Sequence, residues 1–182
     1  LGVGAIGLAI GSFLNVLIDR LPRGESVVWG RSKCDHCKKT LRWWELIPVI
    51  SFILLGARCS RCHKKLNIRY PVVELITGTG FAYFGGVISS SVSLVAVLVV
   101  FSALLVIFFS DWNYQIIPDS MVIFGSIAAL VMVIYISPSL LLPRIAVGLL
   151  SSLFFGALWL ITQGRGMGMG DVKLVFLLGI LL

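Results

Sequence analysis

Val92-Ser93-Leu94-Val95-Ala96-Val97-Leu98-Val99-Val100-Phe101-Ser102-Ala103-Leu104-Leu105-Val106-Ile107-Phe108-Phe109 runs without a charge and is followed at once by Ser110-Asp111. At 1.5 Å per residue a helix of this length is about 27 Å long, close to the hydrocarbon thickness of a bilayer. The stretch therefore reads as a transmembrane helix that stops on a carboxylate. An acid beside such a segment is costly, and it marks a functional site whose partner has to be found.

The rest of the chain is built the same way. Its 182 residues are 58% hydrophobic and only 13% charged, against about 25% charged for soluble domains, and the mean hydropathy is +1.03. Residues 1–18, 75–110, 120–143, 145–164 and 174–182 contain no Asp, Glu, Lys or Arg, and Ser89-Ser90-Ser91 divides the second of these runs with a tight turn. The expected fold is an all-α polytopic membrane protein with about six transmembrane helices. They cover residues 1–21, 72–88, 92–110, 120–136, 140–161 and 172–182, the last cut short. Residues 22–70 form a small cytoplasmic domain inserted after the first helix, and residues 71–182 form the rest of the bundle. The chain begins and ends inside apolar runs and so is expected to lack at least the remainder of its last helix.

Of the 15 Lys and Arg residues, 12 lie between Arg20 and Arg69, so the net charge of +7 belongs to one segment. Basic loops resist translocation, which puts that segment in the cytoplasm. A nucleic-acid patch is the competing reading, disfavoured because the segment is tethered between spans; no nucleic-acid partner is expected. The first apolar run shows no basic region before it and its positive flank comes after it, so no cleavable signal peptide is expected. Counting crossings from there brings Asp111, Asp119 and Asp171 to the cytoplasmic membrane face and leaves Arg144 outside.

Within the basic segment, Cys34-Asp35-His36-Cys37 and Cys59-Ser60-Arg61-Cys62 are two C-x2-C knuckles separated by 21 residues, close to the spacing of a four-cysteine zinc ribbon. Cys34, Cys37, Cys59 and Cys62 are the expected zinc ligands. Four protein ligands leave no open position, so the metal is structural, and in a reducing cytoplasm it is favoured over disulfides. His36 and His63 flank the knuckles as solvated groups. Trp43-Trp44, ahead of the short apolar run that ends at Gly56, reads either as a helix lying at the membrane interface or as domain core. Asn15 reads as a polar contact between helices, Asp19 and Arg20 as a pair at the interface, and Glu74 either as a helix cap or as part of a site.

Gly164-Arg165-Gly166-Met167-Gly168-Met169-Gly170 delivers Asp171, and then Lys173, to the start of the final apolar run. Two carboxylates brought together share a proton; the ionised one activates water while the other hydrogen-bonds a scissile carbonyl. This is peptide hydrolysis with no covalent intermediate. No G-x-S-x-G, H-E-x-x-H or P-loop competes with it. The glycines let backbone pass close to a substrate strand.

Taken together, several motifs resemble the bacterial prepilin peptidases over essentially the whole chain. They are Gly11-Ser12-Phe13-Leu14-Asn15-Val16 with Arg20-Leu21-Pro22, the two knuckles, and Arg69-Tyr70-Pro71-Val72-Val73-Glu74-Leu75. Asp111 with Ile117-Pro118-Asp119, and Gly168-Met169-Gly170-Asp171-Val172-Lys173, complete the set. The resemblance implies that Asp111 and Asp171 are catalytic, with Gly168, Gly170, Asp119, Lys173 and Glu74 around the substrate loop or supporting it. It implies type IV prepilins and pseudopilins as partners, cut at the cytoplasmic face of the bacterial inner membrane. It also implies N-methylation of the new N-terminus from S-adenosylmethionine, associated with the cytoplasmic domain. Relatives often carry a further acid where this chain has Asn113, which leaves Asp111 as the acid at that end of its loop. Asp119 is the runner-up for a carboxylate role, or a loop cap. The alternatives are a zinc-ribbon membrane adaptor, which has no need of the acid pair, and a proton-coupled transporter, disfavoured because only Glu74 lies within a span.

Overall fold

The computed structural model describes residues 2–34 and 36–182. Its elements are α1 (Gly2–Arg20), a 3-10 turn (Trp43–Leu46), α2 (Ile50–Leu54), α3 (Arg69–Val87), α4 (Ser91–Tyr114), α5 (Asp119–Ile136), a 3-10 turn (Pro138–Leu140), α6 (Leu141–Ile161) and α7 (Met169–Leu181). No strand forms among the described residues beyond two isolated bridges. The expected start of the first helix at Leu1 lies outside them. The chain divides after Val87 into two compact units, Leu1–Val87 and Ile88–Leu182. The cysteine segment thus belongs with the helices on either side of it.

Among the described residues, four helices are long and apolar enough to cross a membrane: Gly2–Arg20, Ser91–Tyr114, Asp119–Ile136 and Pro138–Ile161. α3 falls short because Arg69, Glu74 and two threonines interrupt it, and α7 because it has only 13 residues. Their outer faces are apolar. On α6, Leu142, Leu149, Leu150, Leu153, Phe154, Leu160 and Ile161 are all exposed, a surface suited to lipid rather than to water.

In the first unit α1 packs along α3. The buried stripe of α1, Gly7-Gly11-Leu14-Asn15-Leu17-Ile18, recurs every three to four residues, the helical period. Small residues let backbones approach closely where lipid gives no hydrophobic drive. A Cβ on Gly11 would stand 2.7 Å from the Glu74 Cα. Asn15 joins the same contact, donating to the Tyr70 carbonyl at 3.1 Å. The expected Asp19–Arg20 pair does not form. Adjacent residues on a helix point apart; Asp19 instead pairs with Arg69 at 2.7 Å. Arg20 donates to the carbonyls of Ser26, Trp29, Gly30 and Arg31, folding the 26–31 loop around its guanidinium.

The segment between the knuckles is not one interfacial helix. Pro48 interrupts it, leaving a four-residue 3-10 turn and the five-residue α2, with Trp43, Ile50, Ile53 and Leu54 exposed.

In the second unit α4 packs on α5, α5 on α7 and α7 on α6. Val100, Ile107, Val122, Ala128, Ala129, Val133, Leu177 and Ile180 form its core. Gly179 lies against Gly148 so closely that a Cβ on it would stand 2.6 Å from the Gly148 Cα. The α4–α5 turn closes on Gln115, whose left-handed φ of 53° lets its N–H return to the Asp111 carbonyl at 2.8 Å.

Candidate active site and metal centre

The two knuckles are copies of one turn. Cys34 N–H donates to the Lys39 carbonyl, Lys38 N–H to the Cys34 carbonyl, and Leu41 N–H to the Ser32 carbonyl. The same three bonds recur 25 residues later as Cys59 to Lys64, His63 to Cys59 and Leu66 to Ala57. Each turn aims its thiols inward, and the four Sγ atoms lie within 4.8 Å of one another. Cys34–Cys62 and Cys37–Cys59 are each 3.9 Å apart. A tetrahedron with metal–sulfur bonds of about 2.3 Å has edges of about 3.8 Å, so these four cysteines can hold one metal ion. Burial pushes the Cys34 thiol up to about 11. The backbone N–H groups of Cys62 and Arg61 bring Cys59 down to about 6. His36 and His63 are exposed and outside the cluster.

Beneath the knuckles, Glu45 is buried but well satisfied. It accepts the Arg42 N–H at 2.7 Å, a short bond from the Ser60 hydroxyl, and the Lys39 ammonium at 3.2 Å. Burial alone would raise its carboxyl; these donors outweigh it and hold the group below its usual value. Nothing in the sequence reading singled out Glu45. Its spacing of three from Arg42, at the start of a turn, was the available signal.

In the second unit, Asp111 from the last turn of α4 and Asp171 from the first turn of α7 line one open cleft of about 670 Å³. Trp112, Gln115, Ile117, Gly168 and Gly170 complete its wall. Asp171 Oδ2 accepts the Gly168 N–H at 3.0 Å, and the Asp171 N–H returns to the Gly168 carbonyl at 3.2 Å. Glycine at 168 has no side chain with which to complete a capping box, so one carboxylate oxygen carries the cap. Among the described residues, no side-chain hydrogen bond or ion pair engages Asp111.

Gly170 is required for packing within the protein itself. A Cβ there would stand 2.9 Å from the Ile117 Cβ, so the glycine admits the Gln115–Pro118 loop against α7. Asp119 and Lys173 do not line the cleft. They pair with each other at 2.7 Å and tie the start of α5 to α7. Glu74 is buried in the first unit, where its Oε2 accepts the Val49 N–H at 2.8 Å. Trp112 and Gln115 escaped the sequence reading, their only signal being proximity to Asp111, and Ile117 entered it only as part of the Ile117-Pro118-Asp119 motif.

Residues 5–87 match the Bacterial Peptidase A24 N-terminal domain, and residues 98–182 match the Type IV leader peptidase family. The chain belongs to the type IV leader peptidase family. The boundary between the two family matches falls where the two structural units meet. Among relatives of this family, the prepilin leader peptidase/N-methyltransferase of Myxococcus xanthus is 37% identical over 178 residues, 96% of this chain and 53% of that protein. That of Bacillus subtilis is 34% identical over 180 residues, 97% of this chain and 71% of its own. The Pseudomonas putida protein of the same name is 32% identical over 207 residues, covering 96% and 69%. The chain thus spans about half the length of the Myxococcus relative and about seven-tenths of the other two. No solved structure matches it.

Proposed function

We propose that the chain is a membrane aspartyl endopeptidase that removes the short basic leader of type IV prepilins and pseudopilins at the cytoplasmic face of the bacterial inner membrane. One observation carries the reading: Asp111 and Asp171, from helices far apart in sequence, share one cleft. Family membership supports the substrate class.

One carboxylate serves as base and the other as acid, and their helices favour opposite roles. Asp171 lies at the positive N-terminal end of α7 and accepts a backbone N–H, while Asp111 lies at the negative C-terminal end of α4. Asp171 therefore acts as the base that takes a proton from water as its oxygen adds to the scissile carbonyl carbon. Asp111 donates to the carbonyl oxygen. The carbon–nitrogen bond then breaks as the leaving amine takes up a proton, giving a free leader carboxylate and a new N-terminus. The cysteine cluster holds zinc as a structural ion, and the chain spans the bilayer with about six helices.

N-methylation of the new N-terminus is the second activity, as the relatives' name supports. The neutral amine accepts a methyl group from S-adenosylmethionine, the sulfur keeps the bonding pair, and the nitrogen gives up a proton.

Purified protein in liposomes, incubated with a prepilin, is expected to release the leader as a single peptide detected by mass spectrometry. Asp111→Asn and Asp171→Asn should each lower the rate by roughly a thousandfold or more. Retained cleavage in either variant contradicts the assignment.

A further inference from the structure

Between the knuckles, residues 43–54 carry large apolar side chains on the outside of the first unit. Trp43, Ile47, Ile50, Ile53 and Leu54 are all exposed, Ile53 by 69% and Leu54 by 80%. Ser51, Phe52 and Leu55 turn the other way and line the space between the cysteine segment, α1 and the start of α3. The outer side is thus apolar where a face bathed in water would be polar. Its depth follows from how it is attached. Asp19 and Arg69 pair at 2.7 Å where α1 ends and α3 begins, and such a charged pair belongs at the membrane face rather than in hydrocarbon. From Arg69 to Glu74 is five residues, about 7.5 Å of helix. Side chains lean toward the helix start at both positions, so the offset persists. Glu74 Oε2 accepts the Val49 N–H at 2.8 Å, which holds the start of α2 on the bilayer side of the ion pair. Val49 is kept there at a φ of 60°, strained for a β-branched residue, so this attachment and not local preference sets the course of the chain.

Exposed bases frame this apolar face. Arg42 precedes Trp43, and Arg58 follows α2 and bridges to Lys65; Arg61 and Lys64 are exposed as well. The one acid from Arg42 to Lys65 is Glu45, which is buried and paired with Lys39. Resting on the proposed membrane embedding, we infer that residues 43–54 dip into the cytoplasmic leaflet beside α1 and α3, and that the flanking bases bind the headgroups of anionic phospholipids. Ile50, Ile53 and Leu54 meet acyl chains, and Trp43 sits at headgroup level. The cysteine segment thereby gains a third attachment to the membrane besides the two helices. An acidic protein partner would match the bases but would not need an apolar wedge at bilayer depth.

The full chain in nanodiscs of phosphatidylcholine, with or without phosphatidylglycerol, tests this by hydrogen exchange of residues 46–57 and by tryptophan fluorescence. Exchange is expected to be roughly tenfold slower with phosphatidylglycerol, and Arg58→Gln combined with Lys65→Gln to remove most of that difference. Ile53→Trp, at a position that faces outward, should add a blue-shifted emission quenched by lipids brominated on their acyl chains. Zinc content reports whether each variant is folded; should the double variant lose its zinc, Ile53→Trp carries the test. Equal exchange of the wild-type chain in the two lipids overturns the proposal, as does quenching of Ile53→Trp by aqueous acrylamide instead of by lipid. Protection that requires an added prepilin and not phosphatidylglycerol gives the surface to a protein partner, and overturns it too. Val99→Trp, at an exposed position of α4, separates this proposal from the membrane reading beneath it. Its quenching by brominated lipid leaves that reading standing when Ile53→Trp fails, whereas its quenching by acrylamide sinks both.

Discussion

Around Cys34, Cys37, Cys59 and Cys62 each knuckle is fixed by three backbone hydrogen bonds and buttressed by the satisfied Glu45, and the four sulfurs converge on one point. Around Asp111 and Asp171 the wall is an open cleft, and one acid is tied down by a single backbone N–H. The cluster leaves no room for a substrate; the cleft leaves little else but room. A structural centre is stabilised by closing every valence, whereas a hydrolytic centre must hold groups in place while keeping them accessible to water and a peptide.

The largest effect expected from breaking that contrast comes from the closed side. Stripping the metal removes roughly 10 kcal/mol or more of binding free energy from the first unit. A chelator should therefore abolish its cooperative melt, and a metal-free unit that melts like the loaded one contradicts the structural role.

Glu45→Gln comes next. It removes a buried charge from three donors, at an expected cost of about 3 kcal/mol by denaturant unfolding near neutral pH. Because the folded carboxyl is held below its usual value, the stability it confers is present above the unfolded value of about 4.3. That stability is lost as pH falls through the lower folded value. The gap between wild type and variant should therefore close on acidification.

On the open side, Gly170→Ala drives a methyl into Ile117, and about 1–3 kcal/mol of strain is expected. It should appear as slower prepilin cleavage with unchanged metal content. The smallest effect is expected for Lys173→Ala. The Lys173 and Asp119 side chains are 45% and 60% exposed, so thermal melting should change by less than about 1 kcal/mol.

Charge-free runs made the long helices legible, since nothing but a helix can satisfy its own backbone over such a length in lipid. The knuckles were legible because C-x2-C spacing is itself a ligand geometry. For the acids, only a shared membrane face could be read. That Trp112, Gln115 and Ile117 wall their cleft depends on how the turn after α4 closes, which no spacing encodes. Asp19 looked paired with its neighbour because adjacency in sequence stood in for adjacency in space; the helix turned it toward Arg69 instead. Similarly, the Asp119–Lys173 pair joins residues 54 positions apart. Of the two readings of the run after Trp43, the interfacial helix ignored what Pro48 does to a short apolar run.

Cleavage kinetics of Asp111→Asn, Asp171→Asn and the double variant, at equal metal content, test the two-acid centre most directly. Residues that act as one unit are non-additive, so the double variant should cleave a prepilin no more slowly than either single one. Two independent losses that multiply, or substantial cleavage in either single variant, would contradict a shared catalytic pair.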